Sequence, residues 1–222
     1  MTHRLEKLRD ARLYFVCDAG RDDAALERLL DAALRGGADL VQLRHKDAGD
    51  ERLLEAARIF RAAADRHGAL FLLNDRPDAA ADCDADGVHV GQDDVGVAEA
   101  RAMLGPDSLV GLSTHDPAQL DTAHAAAGAA RPDYLSVGPV WATPTKPGRP
   151  AAGLDYVRYA SGVARLPWFG IGGIDERNAA EVVAAGARRI VVVRAIRDAD
   201  DPEGAARRLR ESLPAPARKA AA

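Results

Sequence analysis

Short apolar segments alternate with longer amphipathic segments eight times along this chain, and that repeat constrains its fold more than any other feature. The short segments are rich in β-branched or aromatic residues, as is typical of strands, whereas the longer ones have the Ala, Leu, Arg and Glu content of helices. The strand-like segments are residues 13–18, 40–46, 70–75, 87–92, 109–115, 134–140, 168–174 and 189–196.

The even spacing of these units, without a linker or a change in composition, predicts how they assemble. It favours a single-domain (β/α)8 TIM barrel of the α/β class over an open, doubly wound sheet. Between the third and fourth strands there is room for one short helix only. We expect an N-terminal extension over residues 1–12, a barrel over residues 13–213 and a disordered tail over residues 214–222.

Helix starts are also marked in the sequence. Asp116 followed by Pro117, and Asp175, come directly after the fifth and seventh strand-like segments. Aspartate is a preferred N-cap and proline is favoured in the first turn. We therefore expect a helix to begin at once after each of these two strands.

Charge and hydropathy exclude several classes of partner. The 30 basic and 34 acidic residues of the 222-residue chain give a net charge of -4, which argues against a general nucleic-acid or acidic-membrane partner. No long apolar run and no secretory signal is evident, so we expect a cytoplasmic protein. Cys17 and Cys83 have no metal-site spacing and are interpreted as small buried residues. A homo-oligomer is compatible with the sequence.

The second strand ends in QLRHK, and strand alternation places Gln42, Arg44 and Lys46 on one face. Active sites of such barrels lie at the carboxyl ends of the strands. An arginine fork and a lysine ammonium group together suit a polyanion better than a neutral ligand. The alternative is an ordinary salt-bridged strand end.

Asp75 and Asp94 follow two adjacent strands, where their carboxylates could share Mg²⁺. Magnesium takes one or two protein carboxylates and completes its shell with waters and substrate phosphates. The alternative for both residues is a helix N-cap, although the neighbouring Asn74 favours a site. Histidines 89, 115 and 124 lack metal-ligand spacing and are interpreted as core or helix-cap residues.

The glycine-rich segment WFGIGGI would let backbone N–H groups approach a ligand closely. Barrels commonly bind a phosphate group between their seventh and eighth strands. Arg194, in the eighth strand-like segment, would add a positive charge there if its side chain faces inward. Otherwise it would pair with a carboxylate in the helical layer.

The proline-stiffened segment TPTKPGRP follows the sixth strand-like segment. It carries Lys146, one of only four lysines in the chain. We expect this lysine to extend over the same rim as Lys46. A solvated surface turn is the alternative.

Six ordered segments together resemble the thiamine phosphate synthase family, over residues 13 to 197. They are VQLRHK, LLND, GVHVGQDD, GLSTH, YLSVGPVWATPTK and IGGI. The resemblance implies a transferase that joins 4-amino-2-methyl-5-(diphosphooxymethyl)pyrimidine to a thiazole phosphate carboxylate and releases pyrophosphate. Its partners would be these small molecules and Mg²⁺.

The resemblance also implies roles for individual residues. The pyrimidine diphosphate ligands would be Gln42, Arg44, Lys46, Asn74, Ser113 and Lys146, of which Arg44, Lys46 and Lys146 would be catalytic. The thiazole phosphate ligands would be Thr143, Thr145, Gly172, Val193 and Arg194. The Mg²⁺ ligands would be Asp75 and Asp94.

Two positions depart from the family's usual pattern. His45 stands where many members have aspartate, and Arg194 stands where many have serine. The alternatives to a synthase are the related thiazole tautomerase, which would not need all of these motifs together, and a non-catalytic sensor of phosphorylated ligands on the same scaffold.

Overall fold

The computed structural model describes residues 3–44, 49–143 and 150–215. Each of eight strands is parallel to the next, and the last pairs with the first, so the sheet closes into the predicted barrel. The strands are β1 Leu13–Cys17, β2 Leu40–Leu43, β3 Leu70–Asn74, β4 Gly87–Val90, β5 Leu109–Thr114, β6 Tyr134–Val137, β7 Trp168–Ile171 and β8 Ile190–Val192.

Helices cover the outside of the barrel. They are α1 His3–Asp10, α2 Asp23–Arg35, α3 Asp50–His67, α4 Val97–Leu104, α5 Pro117–Ala125, α6 Gly153–Val163, α7 Ala179–Ala184, α8 Arg194–Arg197 and α9 Pro202–Ser212. A 3-10 turn spans Gly128–Ala130. None of the helices in the described ranges could cross a membrane, because none is both long and apolar enough.

The connection between β3 and β4 differs from the prediction of one short helix. Residues 77–84 form successive turns, and Asp84 ends them with a φ of 50°. A left-handed residue this close to β4 stops any helix from propagating. The third unit is therefore a strand followed by turns.

The last strand is shorter than its apolar run suggests. Its pairing with β1 ends at Val192, and the backbone at Val193 turns away with φ -122° and ψ -84°. The N–H of Arg197 then bonds to the carbonyl of Val193 at 3.0 Å. Arg194 consequently begins α8 with an exposed side chain, and the prediction that it lies within a strand is wrong.

One of the two predicted N-caps is confirmed and the other is wrong. Asp116 caps α5 as expected, since its carboxylate accepts from Gln119 N–H at 2.9 Å and Pro117 follows it. Asp175 instead accepts from Arg177 N–H at 2.9 Å and closes a turn, and α7 begins only at Ala179. The expectation that a helix starts directly after β7 is therefore wrong.

Strand alternation divides the core into two clusters. One face of each strand packs beneath the helices, and the other fills the barrel interior, where α1 also inserts Leu8. The interior cluster comprises Leu8, Ala11, Tyr14, Val16, Leu40, Leu70, Leu72, Leu109, Tyr134, Phe169 and Val191. Both cysteines are buried and free, as expected, and burial raises the pKa of the Cys83 thiol to about 11.

Three aspartates fasten the amino ends of the strands, each standing one residue before an even-numbered strand. Asp39, Asp86 and Asp133 accept N–H groups at the starts of β1, β3 and β5, at 2.7 to 2.9 Å. Each carboxylate also contacts an arginine from the outer helical layer. This repeated contact joins strand pairs to helices at the end of the barrel opposite the carboxyl-terminal rim.

Asp86 is the most buried of the three. Its carboxylate accepts from Phe71 N–H at 2.9 Å, from Arg4 Nε at 2.9 Å and from Arg61 Nη1 at 3.0 Å. Burial alone would raise the pKa of Asp86, but these three donors outweigh it and lower the pKa below its ordinary value.

Replacing Asp86 with alanine should destabilise the fold by about 3 kcal/mol, because the change leaves the buried Phe71 N–H without an acceptor and removes the more buried of the two carboxylates paired with Arg61. The matched control is Asp82→Ala on the adjoining turn, where an exposed carboxylate should matter by less than about 0.5 kcal/mol. Chemical denaturation at pH 7 measures both. Equal stability of the two variants would contradict the role of Asp86.

The same variant should show a defined pH dependence. Since the folded-state pKa of Asp86 is depressed, its stabilisation is complete above the unfolded value of about 3.9 and is lost as the pH falls through the lower folded value. The difference in unfolding free energy between wild type and Asp86→Ala should therefore narrow below about pH 4.

Candidate active site

A cavity of about 340 Å³ opens at the carboxyl ends of the strands. Every strand, or the segment that follows it, contributes to the lining. This is the end of the barrel at which active sites of this fold are built. The strands thus bring side chains that are far apart in sequence into one space.

Most of the residues predicted for the site share this cavity. Those that line it are Gln42, Arg44, Asn74, Ser113, Thr143, Gly172, Val193 and Arg194. Gln42 and Arg44 lie on the same side of β2, as the alternation predicted. Lys46, Thr145 and Lys146, with the His45 position, lie outside the described residues.

The floor of the cavity begins with a short series of amides beside a carboxylate. Gln42, only 3% exposed, donates from Nε2 to Asn74 Oδ1 at 2.6 Å. Asn74 in turn donates from Nδ2 to Asp75 Oδ2 at 2.6 Å. Gln42 Oε1 accepts from the hydroxyl of Tyr14. These contacts fix the orientation of both side-chain amides, and therefore which of their N–H groups faces the cavity.

The floor continues through groups that the sequence did not single out as a site. The hydroxyls of Tyr14 and Tyr134 are 3.2 Å apart. His89 places Nδ1 2.9 Å from the Tyr134 hydroxyl and Nε2 3.0 Å from Ser113 Oγ. Ser136 lies beside Ser113, with 3.4 Å between their hydroxyl oxygens.

His89 and Tyr134 were predicted as core residues or not noticed, and the reason is physical. Both are buried, and a buried tyrosine in an apolar strand looks the same in sequence whether its hydroxyl meets a ligand or another side chain. The available signal was Gly111, opposite Tyr134, where a Cβ would lie 2.1 Å from Tyr134 Cζ. A strand glycine of this kind marks a large side chain that crosses the barrel.

The opposite wall is made of glycines and the start of α8. Gly172 and Gly173 have φ values of 102° and 68°, which favour glycine. A Cβ on Gly172 would lie 2.4 Å from Pro139 Cβ. Val193 and Arg194 line the cavity where α8 begins, and N–H groups of a first turn lack partners within their own helix. This wall is suited to a phosphate group.

Two charged residues of this wall were missed by the sequence analysis. Arg177 and Asp198 also line the cavity. Arg177 forms an ion pair with Asp175, and its guanidinium group lowers the pKa of that carboxyl. Asp198 is paired with Arg197. They lie beyond the predicted strand ends, in turns whose direction the apolar pattern does not reveal.

Asp75 and Asp94 stand after the neighbouring strands β3 and β4. Neither is a helix N-cap, because turns follow Asp75 and Gly96 caps α4. Asp75 has a φ of 56°, a costly conformation for a residue with a side chain that often marks functional sites. Asp94 Oδ2 accepts from Gly91 N–H at 2.9 Å. Both offer the hard oxygen ligands that suit Mg²⁺.

A cation held here would need ligands from outside the protein. Within residues 3–44, 49–143 and 150–215, no cluster of three or more His, Cys, Asp or Glu side chains could hold a metal ion. Two carboxylates that leave the remaining positions to waters and substrate oxygens are typical of magnesium sites. His115 Nδ1 lies 2.6 Å from Gly138 O, and His124 Nε2 accepts from Arg165 N–H at 3.3 Å.

Comparison with known proteins gives consistent results over the whole barrel. A family model described as thiamine monophosphate synthase matches residues 13–196. A thiamine-phosphate synthase of Thermobifida fusca is 53% identical over 215 residues, covering 96% of each chain. One from Mycobacterium sp. strain KMS is 52% identical over 216 residues, covering 93% of this chain and 94% of the relative.

Solved structures agree with these relatives. Thiamine phosphate pyrophosphorylase from Pyrococcus furiosus superposes with a TM-score of 0.80 at 29% identity and covers 92% of this chain and 96% of its own. A 3-hexulose-6-phosphate synthase, at 20% identity and a TM-score of 0.65, shares the fold alone. With a family model that matches residues 13–196 and relatives about 50% identical over most of the chain, the chain belongs to the thiamine monophosphate synthase family of transferases.

Proposed function

We propose that the enzyme makes thiamine phosphate from the pyrimidine diphosphate and thiazole phosphate or its carboxylate, with release of pyrophosphate. The observation that carries this proposal is the two-sided cavity. Amides and hydroxyls form its floor, and glycines and the start of α8 form its opposite wall. One side suits a polar heterocycle and the other a phosphate group.

The pyrimidine diphosphate is assigned to the β2, β3 and β5 side. Gln42, Asn74 and Ser113 would contact the ring, and Arg44 would bind the diphosphate through its planar fork. Lys46 and Lys146 would add two point charges at the same oxygens. The family resemblance supports the two lysines, and the position of Arg44 in the cavity lining supports the arginine.

The thiazole phosphate is assigned to the opposite wall. Its ligands would be Thr143, Thr145, Gly172, Val193 and Arg194, four of which line the cavity. Glycine is required at position 172 because its φ is 102° and a Cβ would lie 2.4 Å from Pro139 Cβ, and its backbone N–H can approach phosphate oxygens closely. The two substrates would then meet across the cavity.

Magnesium would be held by Asp75 and Asp94, whose oxygens fit this ion. When bound, it would neutralise charge on the diphosphate. Because Asp75 also accepts from Asn74, the protein would orient that carboxylate before the ion arrives.

The reaction we infer is dissociative. The bond between the pyrimidine methylene and the diphosphate oxygen breaks, and both electrons leave with pyrophosphate. Arg44, Lys46 and Lys146 stabilise the developing negative charge. The carbocation-like methylene is captured by the lone pair of the thiazole nitrogen, so this step needs no protein base. The residues act by position and charge.

The remaining assignments follow from the same proposal. The catalytic unit would be residues 13–213, preceded by the extension that contains α1. The tail expected over residues 214–222 lies, from residue 216 onward, outside the described residues. We also propose that the enzyme acts in the cytoplasm, and a homo-oligomer is compatible with this proposal.

Pyrophosphate release by the purified enzyme tests this function. We expect release only when both substrates and Mg²⁺ are present, and its loss with excess chelator. Asp75→Asn should slow the chemical step, because it should raise the activation free energy by about 3 kcal/mol, within the range for lost electrostatic stabilisation. Binding of both substrates without turnover would instead identify a sensor, and isomerisation of the thiazole alone would identify a tautomerase.

Arg194→Ser tests the unusual residue at the phosphate wall. A guanidinium group forms charge-assisted hydrogen bonds that a serine hydroxyl cannot, so we expect the KM for thiazole phosphate to rise about fivefold, equivalent to about 1 kcal/mol. The control is Arg188→Ser, which removes an exposed arginine before β8 and should leave KM unchanged. Equal KM values for Arg194→Ser and wild type would refute a phosphate contact.

A further inference from the structure

A continuous series of hydrogen bonds crosses the barrel interior from Asp75 to Ser113. We propose that this series has a single direction, set by the Asp75 carboxylate, and that it holds neutral His89 with its proton on Nδ1. Tyr14, Tyr134 and His89 are thereby positioning residues, which determine the hydrogen-bonding character of Ser113 toward a ligand.

The direction begins at the carboxylate. Carboxylate oxygens only accept, so Asn74 must turn its Nδ2 toward Asp75. Its Oδ1 then faces Gln42 and accepts from Gln42 Nε2. Gln42 Oε1 is left facing Tyr14 and must accept from the tyrosine hydroxyl. Each amide thus passes on the orientation imposed by the one before it.

The hydroxyls of Tyr14 and Tyr134 continue the series with the same donor-to-acceptor direction. Burial raises the pKa of Tyr14 and Tyr134 well above the ordinary value, so both hydroxyls stay protonated and each has one hydrogen to donate. The hydrogen of Tyr14 goes to Gln42. Across the 3.2 Å contact Tyr134 must therefore donate to Tyr14. The Tyr134 oxygen can then only accept from His89 Nδ1, at 2.9 Å.

The direction of these hydrogen bonds determines which ring nitrogen of His89 carries the proton. A neutral imidazole has one N–H and one lone pair, and the N–H is fixed on Nδ1 by Tyr134. Nε2 therefore accepts from the hydroxyl of Ser113 at 3.0 Å. Ser136 Oγ lies farther from this nitrogen, at 3.3 Å, and is 3.4 Å from Ser113 Oγ. The nearer Ser113 therefore bonds to Nε2, and Ser136 donates to Ser113 Oγ. With its hydrogen committed to His89, Ser113 offers only a lone pair to the cavity.

The side of the cavity floor that faces the ligand then has a fixed pattern of hydrogen-bond donors and acceptors. Gln42 Nε2 keeps one further N–H, which is a donor, whereas Ser113 Oγ is an acceptor. A ligand that complements this donor and acceptor presents a ring nitrogen lone pair to Gln42 and, beside it, an exocyclic amino group to Ser113. A 4-oxo ring with a protonated nitrogen has the opposite pattern and would leave polar groups unpaired. This consequence rests on the proposed function, whereas the tautomer itself does not.

The histidine tautomer is measurable directly by ¹⁵N NMR of the ring nitrogens at pH 8, above the ordinary histidine pKa of about 6.5. His89→Gln identifies the His89 signals among the six histidines. We expect the wild type to carry its proton on Nδ1. A proton on Nε2, or a doubly protonated ring, would overturn the proposal.

Tyr134→Phe tests what fixes the tautomer. It keeps the ring that packs edge-on against Phe169, with centroids 5.7 Å apart, but removes the acceptor of the Nδ1 proton. We expect the Nε2–H form of His89 to become populated. The control is Tyr159→Phe, which removes an exposed hydroxyl bonded to Asp121 and should leave His89 unchanged. A pure Nδ1–H form in Tyr134→Phe would overturn the directional series.

Turnover supplies a second readout. The preference in kcat/KM for the aminopyrimidine diphosphate over its 4-oxo analogue should fall about tenfold in Tyr134→Phe, because Ser113 can then also donate. An unchanged preference would overturn the effect on specificity. If the wild type shows the Nδ1–H tautomer but no turnover, the proposed function fails while the hydrogen-bond direction stands.

Discussion

Closure of the barrel is the constraint on which the rest of the structure depends. The pairing of β8 with β1 makes eight carboxyl ends meet at one rim, so a single residue from each strand suffices to surround a ligand. At the other end, Asp39, Asp86 and Asp133 bond the starts of neighbouring strands. These carboxylates lie at the end of the barrel opposite the cavity.

The barrel interior changes from apolar to polar within one step of strand alternation. Leu72 packs in the interior cluster, and two residues later Asn74 lies in the floor of the cavity. Polar groups buried at that level must be bonded to one another. The hydrogen-bonded series from Asp75 to Ser113 meets this requirement, and the same bonds that stabilise the fold orient the groups that would meet a substrate.

Sequence patterns predicted the barrel, because eight repeats leave few alternatives, and alternation placed Gln42 and Arg44 correctly. The apolar run of β8 was misleading at Arg194, since a strand ends where pairing ends and a three-residue ladder cannot be distinguished from a longer apolar run. The role of the Tyr14 and Tyr134 hydroxyls could not be predicted from the sequence, for a different reason. Their role depends on which residues the closed barrel places beside them, and that is a three-dimensional property.

The central claim is that one cavity holds both substrates, with a cation on the side of the diphosphate. A crystal structure with pyrophosphate, thiazole phosphate and Mn²⁺ in place of Mg²⁺ tests it most directly, since anomalous scattering locates the metal. We expect Mn²⁺ between Asp75 and Asp94, and the thiazole phosphate beside Gly172 and the first turn of α8. Phosphate groups bound outside the cavity, or a metal that contacts neither aspartate, would contradict it.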